Sequence, residues 1–165
     1  MRLNLREIIH VPGASLPFAF QLDLSQEEFF GEHPIPRPVQ VQGRVKNVAD
    51  VLVLEGEARS LLDYTCDRCM EPFQREKVVG LSALLAETLE GEEDEDIVLL
   101  ENGEVDVGDL AYTAFLLAMD TKHLCSEDCK GLCPGCGVNR NREPCRCKKQ
   151  VDPRWAALEQ LLDKN

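Results

Sequence analysis

Long apolar runs, basic charge and histidine are all scarce in this chain, and each shortage removes a class of function. The longest apolar stretches, near 81–86 and 110–119, fall well short of the roughly 20 residues that a helix needs to cross a bilayer, so no membrane partner is expected. The opening MRLNLREIIHVPG interrupts its apolar residues with Arg2, Arg6, Glu7 and His10. It lacks the continuous apolar core of a secretory signal, and the expected location is cytoplasmic. Only 18 Lys and Arg stand against 30 Asp and Glu, a formal charge of −12, which argues against a binder that coats phosphates with its whole surface. The three histidines, His10, His33 and His123, are scattered, and neither a nucleophile elbow nor a phosphate loop is written anywhere. No catalytic residue and no small-molecule substrate are therefore expected. Repeats are missing too, which excludes solenoids and propellers.

What is present between Val39 and Leu85 reads as β structure. VQVQGRV alternates, VLVLEGEA alternates after a short break, SLLDYTC follows, and QREKVVGLSALLA is long enough for one extended strand. Four strands in close succession predict an antiparallel meander. Upstream, RLNLR and FAFQLDL alternate, and Ser25-x-x-Glu28 is a capping-box pattern that predicts a short helix through Phe29 and Phe30. The proline-rich HPIPRP at 33–38 predicts an extended connector. Six acids crowd into the seven residues 90–96, and their self-repulsion predicts a solvated loop. Asp106 and Asp109 flank the start of LAYTAFLLAM, a three-turn apolar helix expected to cover one face of the sheet. The expected fold class is α+β: an antiparallel β-meander covered by a helix over 1–120, then a Cys-rich zinc-binding module with a short terminal helix over 121–165. That helix is read from DPRWAALEQLL, where Asp152 caps, Pro153 takes the first position and Trp155, Leu158, Leu161 and Leu162 share a face.

Cysteine placement carries the most chemistry. All eight cysteines fall into close pairs: Cys66-x2-Cys69, Cys125-x3-Cys129, Cys133-x2-Cys136 and Cys145-x-Cys147. In a reducing compartment these are thiols or metal ligands, because disulfides rarely persist there. A short loop lets two thiolates converge on one ion at about 2.3 Å, and two such pairs complete a tetrahedral site, so four pairs predict two structural Zn2+ ions. Cys133-Pro-Gly-Cys136-Gly137 is the sharpest knuckle signal, since the closing glycine lets backbone amides approach the thiolates. Three ways of combining the pairs exist, and geometry chooses among them only in part. Cys133/Cys136 with Cys145/Cys147 would enclose the eight residues GVNRNREP in a self-contained loop. Cys66/Cys69, at the tip of a predicted hairpin, would then meet Cys125/Cys129 across 55 intervening residues and staple the meander to the chain after the helix. Two rival readings compete with zinc. Cys66-x2-Cys69 has the spacing of a redox dithiol, and Cys129-x3-Cys133-x2-Cys136 has that of radical-generating iron–sulfur enzymes.

The charge is unevenly spread. From Thr121 to Asn165 nine basic residues face six acidic ones, which leaves the tail at +3 and the remainder at −15. Arg140, Arg142, Arg146, Lys148 and Lys149 concentrate around the last cysteine pair. They suit RNA backbone binding from a rigid loop, without aromatic partners for base stacking, and they equally suit neutralisation of a thiolate site.

YTCDRCMEPF after two strands, the acidic loop, VDVGDLAYTAFLLAM, LCSEDCKGLCPGCGVNRN, CRC and DPRWAALEQLL together closely resemble the YceD family of large ribosomal RNA subunit accumulation proteins, in its cysteine-rich bacterial form. The resemblance runs over nearly the whole chain and is most specific over 66–73 and 124–162. It implies a non-catalytic factor in large-subunit ribosomal RNA accumulation or processing, whose partners are ribosomal RNA or its precursor and, with it, ribosomal or assembly proteins. The alternative is a zinc-stabilised protein-interaction adaptor without direct RNA contact. The resemblance also implies that Cys66, Cys69, Cys125 and Cys129 form one metal set and Cys133, Cys136, Cys145 and Cys147 the other. Where a proline-containing apolar turn is expected after the helix, this chain has Asp120-Thr-Lys-His123, which makes His123 an outside candidate for a substitute ligand.

Overall fold

The computed structural model describes residues 1–29, 31–88 and 97–147. The acidic loop at 90–96, the terminal helix read from DPRWAALEQLL, and Lys148 and Lys149 lie outside these residues.

The main sheet has five strands in the order β2 (Ser15–Leu22), β3 (Val39–Val48), β4 (Val51–Thr65), β5 (Pro72–Ala86) and β6 (Ile97–Leu99). β2 to β5 form the expected antiparallel meander, and β6 adds to β5 in parallel. A second, two-stranded sheet joins β1 (Arg2–Asn4) to β7 (Glu104–Asp106), and α1 (Val107–Leu117) follows directly. Alternation explains the faces: Val39, Val41 and Val45 of β3 and Leu52, Leu54, Ala58 and Leu62 of β4 point into one core. Ala111 and Phe115 of α1 join the same cluster from above. Asp106 caps α1 by accepting the Asp109 backbone N–H at 3.1 Å, as its sequence position implies.

Two expectations are corrected. VLVLEGEA and SLLDYT lie in one 15-residue strand that ends just before Cys66, so the 39–85 region contains three strands where the patterning suggested four. Gly56 is not a break within β4. It stands opposite Gly43 of β3, where a Cβ on Gly43 would lie 2.4 Å from the Glu55 carbonyl oxygen and 2.6 Å from Phe18 Cζ. Glycine is there for close approach of strand to strand and ring, and the ladder runs through it. Among the described residues the helix expected from Ser25-x-x-Glu28 is not formed: the segment turns at Ser25–Gln26 and Phe29 bridges Glu32. The Asp23 carboxylate takes the Ser25 N–H at 2.9 Å, and this local side-chain turn wins over the capping box.

The proline-rich connector behaves as its composition dictates. Pro34 and Ile35 are buried, and the Pro34 carbonyl accepts the Asp63 N–H at 2.9 Å. Arg37 reaches the Leu61 carbonyl and the Asp63 carboxylate, both at 3.0 Å, so the connector seals the upper half of β4 that β3 does not cover. This fastening makes the β4–β5 hairpin a rigid arm, with Cys66 to Glu71 at its tip.

Candidate metal centre

The eight cysteines stand in two groups of four, and within each group every sulfur lies within 4.8 Å of the others. The first group is Cys66, Cys69, Cys125 and Cys129; the second is Cys133, Cys136, Cys145 and Cys147. Bonds of about 2.3 Å to a tetrahedral ion place sulfurs about 3.8 Å apart. Cys66 and Cys129 are 3.8 Å apart, Cys69 and Cys125 3.7 Å, and Cys136 and Cys145 3.8 Å, while Cys133 and Cys145 approach to 3.1 Å. The donor sets therefore fit one mononuclear ion each. They are too close to enclose the several irons and sulfides of a cluster, and the Cys129-x3-Cys133-x2-Cys136 run is divided between the two groups. Cys66 and Cys69 likewise do not stand alone as a dithiol.

The two knuckles are built alike from unlike sequences. In the second, Cys133 N–H donates to the Val138 carbonyl at 2.9 Å and Gly137 N–H to the Cys133 carbonyl at 2.8 Å, with Gly137 at φ +73°. In the first, Cys66 N–H donates to Glu71 at 2.9 Å and Met70 N–H to Cys66 at 2.8 Å, with Met70 at φ +58°. The same turn is thus made by CDRCM and by CPGCG. Sequence reading found the second knuckle through its glycine; in the first, only the offset of Met70 from Cys66 could have shown that a left-handed residue was required.

Electrostatics explain what each group needs. Burial opposes ionisation of Cys66, yet the backbone N–H groups of Cys125, Cys69 and Arg68 outweigh it and bring the thiol down to about 6. Cys133 also comes down to about 6, through the Cys145 thiol and then the Cys136 and Gly135 amides. Burial, then the neighbouring sulfurs, push Cys125 up to about 12, and Cys136 and Cys145 do the same to Cys147. Cys129 is also brought down, against its own burial, by the Asn141 side chain and the Gly131 amide. The first group thus favours ionisation of two thiols and the second of one, while each resists the last because converging thiolates repel one another. A cation at the centre removes that conflict, and each group can hold a metal ion.

The surroundings differ. Cys66, Cys69 and Cys129 are buried against Phe73 and Leu124, and two ligands come from either side of residue 120. In the second group only Cys133 is buried. The chain reaching Cys125 is tied down at three points: Lys77 pairs with Asp120 at 3.0 Å, Arg75 bonds the Leu124 carbonyl, and Asp67 exchanges hydrogen bonds with the His123 backbone at 2.7 and 2.8 Å. His123 belongs to neither sulfur group. Its ring lies flat on Tyr64, centroids 4.0 Å apart, so this candidate ligand is a packing residue instead. Tyr64 is buried, and that burial pushes its hydroxyl up to about 12.

The basic cluster is only partly available. Arg140, Arg142 and Arg146 are all exposed, and Arg142 also forms an ion pair with Glu71 on the first knuckle. Sequence reasoning missed Glu71, and it missed Asn139 and Asn141, whose side chains bond Glu71 at 3.3 Å and Cys129 Sγ at 3.3 Å. Asparagine in a turn-rich loop carries no distinctive signal of that role.

Comparison with known proteins places these groups in a family context. The family model described as large ribosomal RNA subunit accumulation protein YceD matches residues 54–162, a span that includes all eight cysteines. An uncharacterised protein of Mycobacterium bovis is 31% identical over 123 residues, covering 72% of this chain and 59% of its own length. The same figures hold for an uncharacterised protein of Mycobacterium tuberculosis. The chloroplastic large ribosomal RNA subunit accumulation protein YCED homolog 1 of Arabidopsis thaliana is 26% identical, over 80% of this chain and 51% of its own length. The chain thus spans 59% of the length of these mycobacterial relatives. No solved structure matches it.

Proposed function

The chain belongs to the YceD family of large ribosomal RNA subunit accumulation proteins, and from that premise we propose that it is a non-catalytic factor for large-subunit ribosomal RNA accumulation that binds RNA or a pre-ribosomal particle. The carrying observation is the extent of the match: it takes in most of the β4–β5 hairpin and both sulfur groups. Zinc is the metal we assign, because four thiolates in tetrahedral reach suit it and it brings no redox chemistry of its own. A zinc held by four sulfurs keeps no open position for water, which supports a structural role over a hydrolytic one.

Arg140 and Arg146, with Lys148 and Lys149, are the residues we place against RNA phosphates. The −15 of residues 1–120 supports keeping phosphate contact local to this segment. Crosslinking in cells followed by sequencing should recover large-subunit ribosomal RNA or its precursor. In vitro, changing Arg140 and Arg146 to Gln should leave metal content intact, weaken RNA association and flatten its salt dependence, because fewer phosphate contacts release fewer counterions. Unchanged affinity and slope, with ribosomal proteins still co-purifying, would favour the protein-interaction adaptor.

A further inference from the structure

The loop that the second sulfur group closes is also the outer shell of the first. Residues 137–144 run between Cys136 and Cys145, and three of their side chains reach across to the other group. Asn141 Nδ2 donates to Cys129 Sγ at 3.3 Å, while its Oδ1 accepts the Lys130 N–H at 2.7 Å. Asn139 Nδ2 donates to Glu71 Oε1, and Arg142 pairs with Glu71 Oε2. Glu71 in turn supplies the carbonyl that closes the Cys66 turn at 2.9 Å. One short loop therefore grips the first knuckle at Glu71 and solvates a first-group sulfur at Cys129. The loop's own position depends on Cys133, Cys136, Cys145 and Cys147 being drawn together.

From this geometry we propose that the two metal sites are thermodynamically coupled, and that Asn141 is the positioning residue through which the second site tightens the first. The proposal rests on the reading that both groups hold a divalent metal. An N–H bond to a thiolate sulfur favours its ionised form and lowers the charge that the ion must balance, and outer-shell partners of this kind typically govern about 10- to 100-fold in metal affinity. The second group is the more exposed, so its metal is the first to leave. When it leaves, the loop relaxes, Cys129 loses the Asn141 donor and Glu71 loses both partners. Linkage makes the effect mutual: an ion in the first site must tighten the second by the same factor.

The test uses the full chain under reducing conditions, loaded with cadmium-113 as the probe. Wild type should show two resonances in the all-thiolate range. Asn141→Asp keeps the acceptor for Lys130 but removes the donor to sulfur, so it should shift one resonance, leave the other in place, and speed chelator-driven release from the shifted site by about 10-fold. Cys136→Ser abolishes one site and should speed release from the remaining one by a similar factor. Added to Asn141→Asp, it should contribute little more at that site. Coupling is overturned if Asn141→Asp leaves both resonances and both release rates as in wild type, or if Cys136→Ser leaves the first site's release unchanged. A wild-type chain that takes up no cadmium overturns the metal reading itself, and the coupling with it.

Discussion

Met70 holds a backbone conformation that glycine fills in the sister knuckle, and it is 63% exposed, so its side chain contributes little packing there. A left-handed non-glycine residue costs roughly 1–2 kcal/mol, and glycine returns part of that gain as unfolded-state entropy. Met70→Gly should therefore raise stability by about 0.5–1 kcal/mol. Met70→Val should lower stability by more, because β-branching suits φ +58° least. Thermal unfolding of the metal-loaded chain decides it: if the valine variant melts with wild type, the turn assignment fails. Asn47 is the complementary case in the sheet. It is buried and donates to the Ile8 and Ile9 carbonyls at 2.9 and 2.7 Å, while accepting the Asp50 N–H. Asn47→Ala should cost about 1–3 kcal/mol by leaving those groups unpaired, measured by denaturant titration.

The β4–β5 hairpin is the element that joins core to metal. Along its length it packs Leu52, Leu54, Ala58 and Leu62 into the apolar cluster, and its tip carries Cys66 and Cys69. Cys69→Ser should free the segment after α1 from the hairpin, so limited proteolysis would cut between 118 and 147 while the sheet resists. Cys133→Ser should open the loop at 133–147 first and, through Asn141 and Arg142, loosen the tip to a lesser degree. Identical cleavage maps for the two variants would contradict the sulfur grouping. The long strands of the meander, α1 and the close spacing of the cysteines were legible because alternation, acids at a helix start and ligand spacing are local signals, whereas the short β6 and β7 were not read and the grouping of the cysteine pairs rested on the family resemblance. What was not legible was tertiary: Gly56 as a cross-strand contact, Asp23 diverting the backbone at Ser25, Tyr64 claiming His123, and Glu71 claiming Arg142. Each of these is decided by a partner distant along the chain or by a competing turn, which patterning within one segment does not carry.

Over the whole molecule, an acidic α+β body presents a sulfur-rich module that has too little apolar surface to fold on its own. Between Leu124 and Cys147 the described residues bury chiefly cysteine, so a metal held by the two sulfur groups would supply the module's folding energy. Removal of the metal by a chelator should therefore unfold residues 125–147 while the apolar core around Phe115 and Leu62 persists. The proposed site coupling and module folding share one requirement, that the eight cysteines hold two metal ions, each bound by four sulfurs. Elemental analysis of the chain purified under reducing conditions, with X-ray absorption at the metal edge, tests it directly. Two zinc ions per chain are expected, each with four sulfur ligands at about 2.3 Å. One zinc or fewer, or nitrogen and oxygen in the first shell, would contradict it.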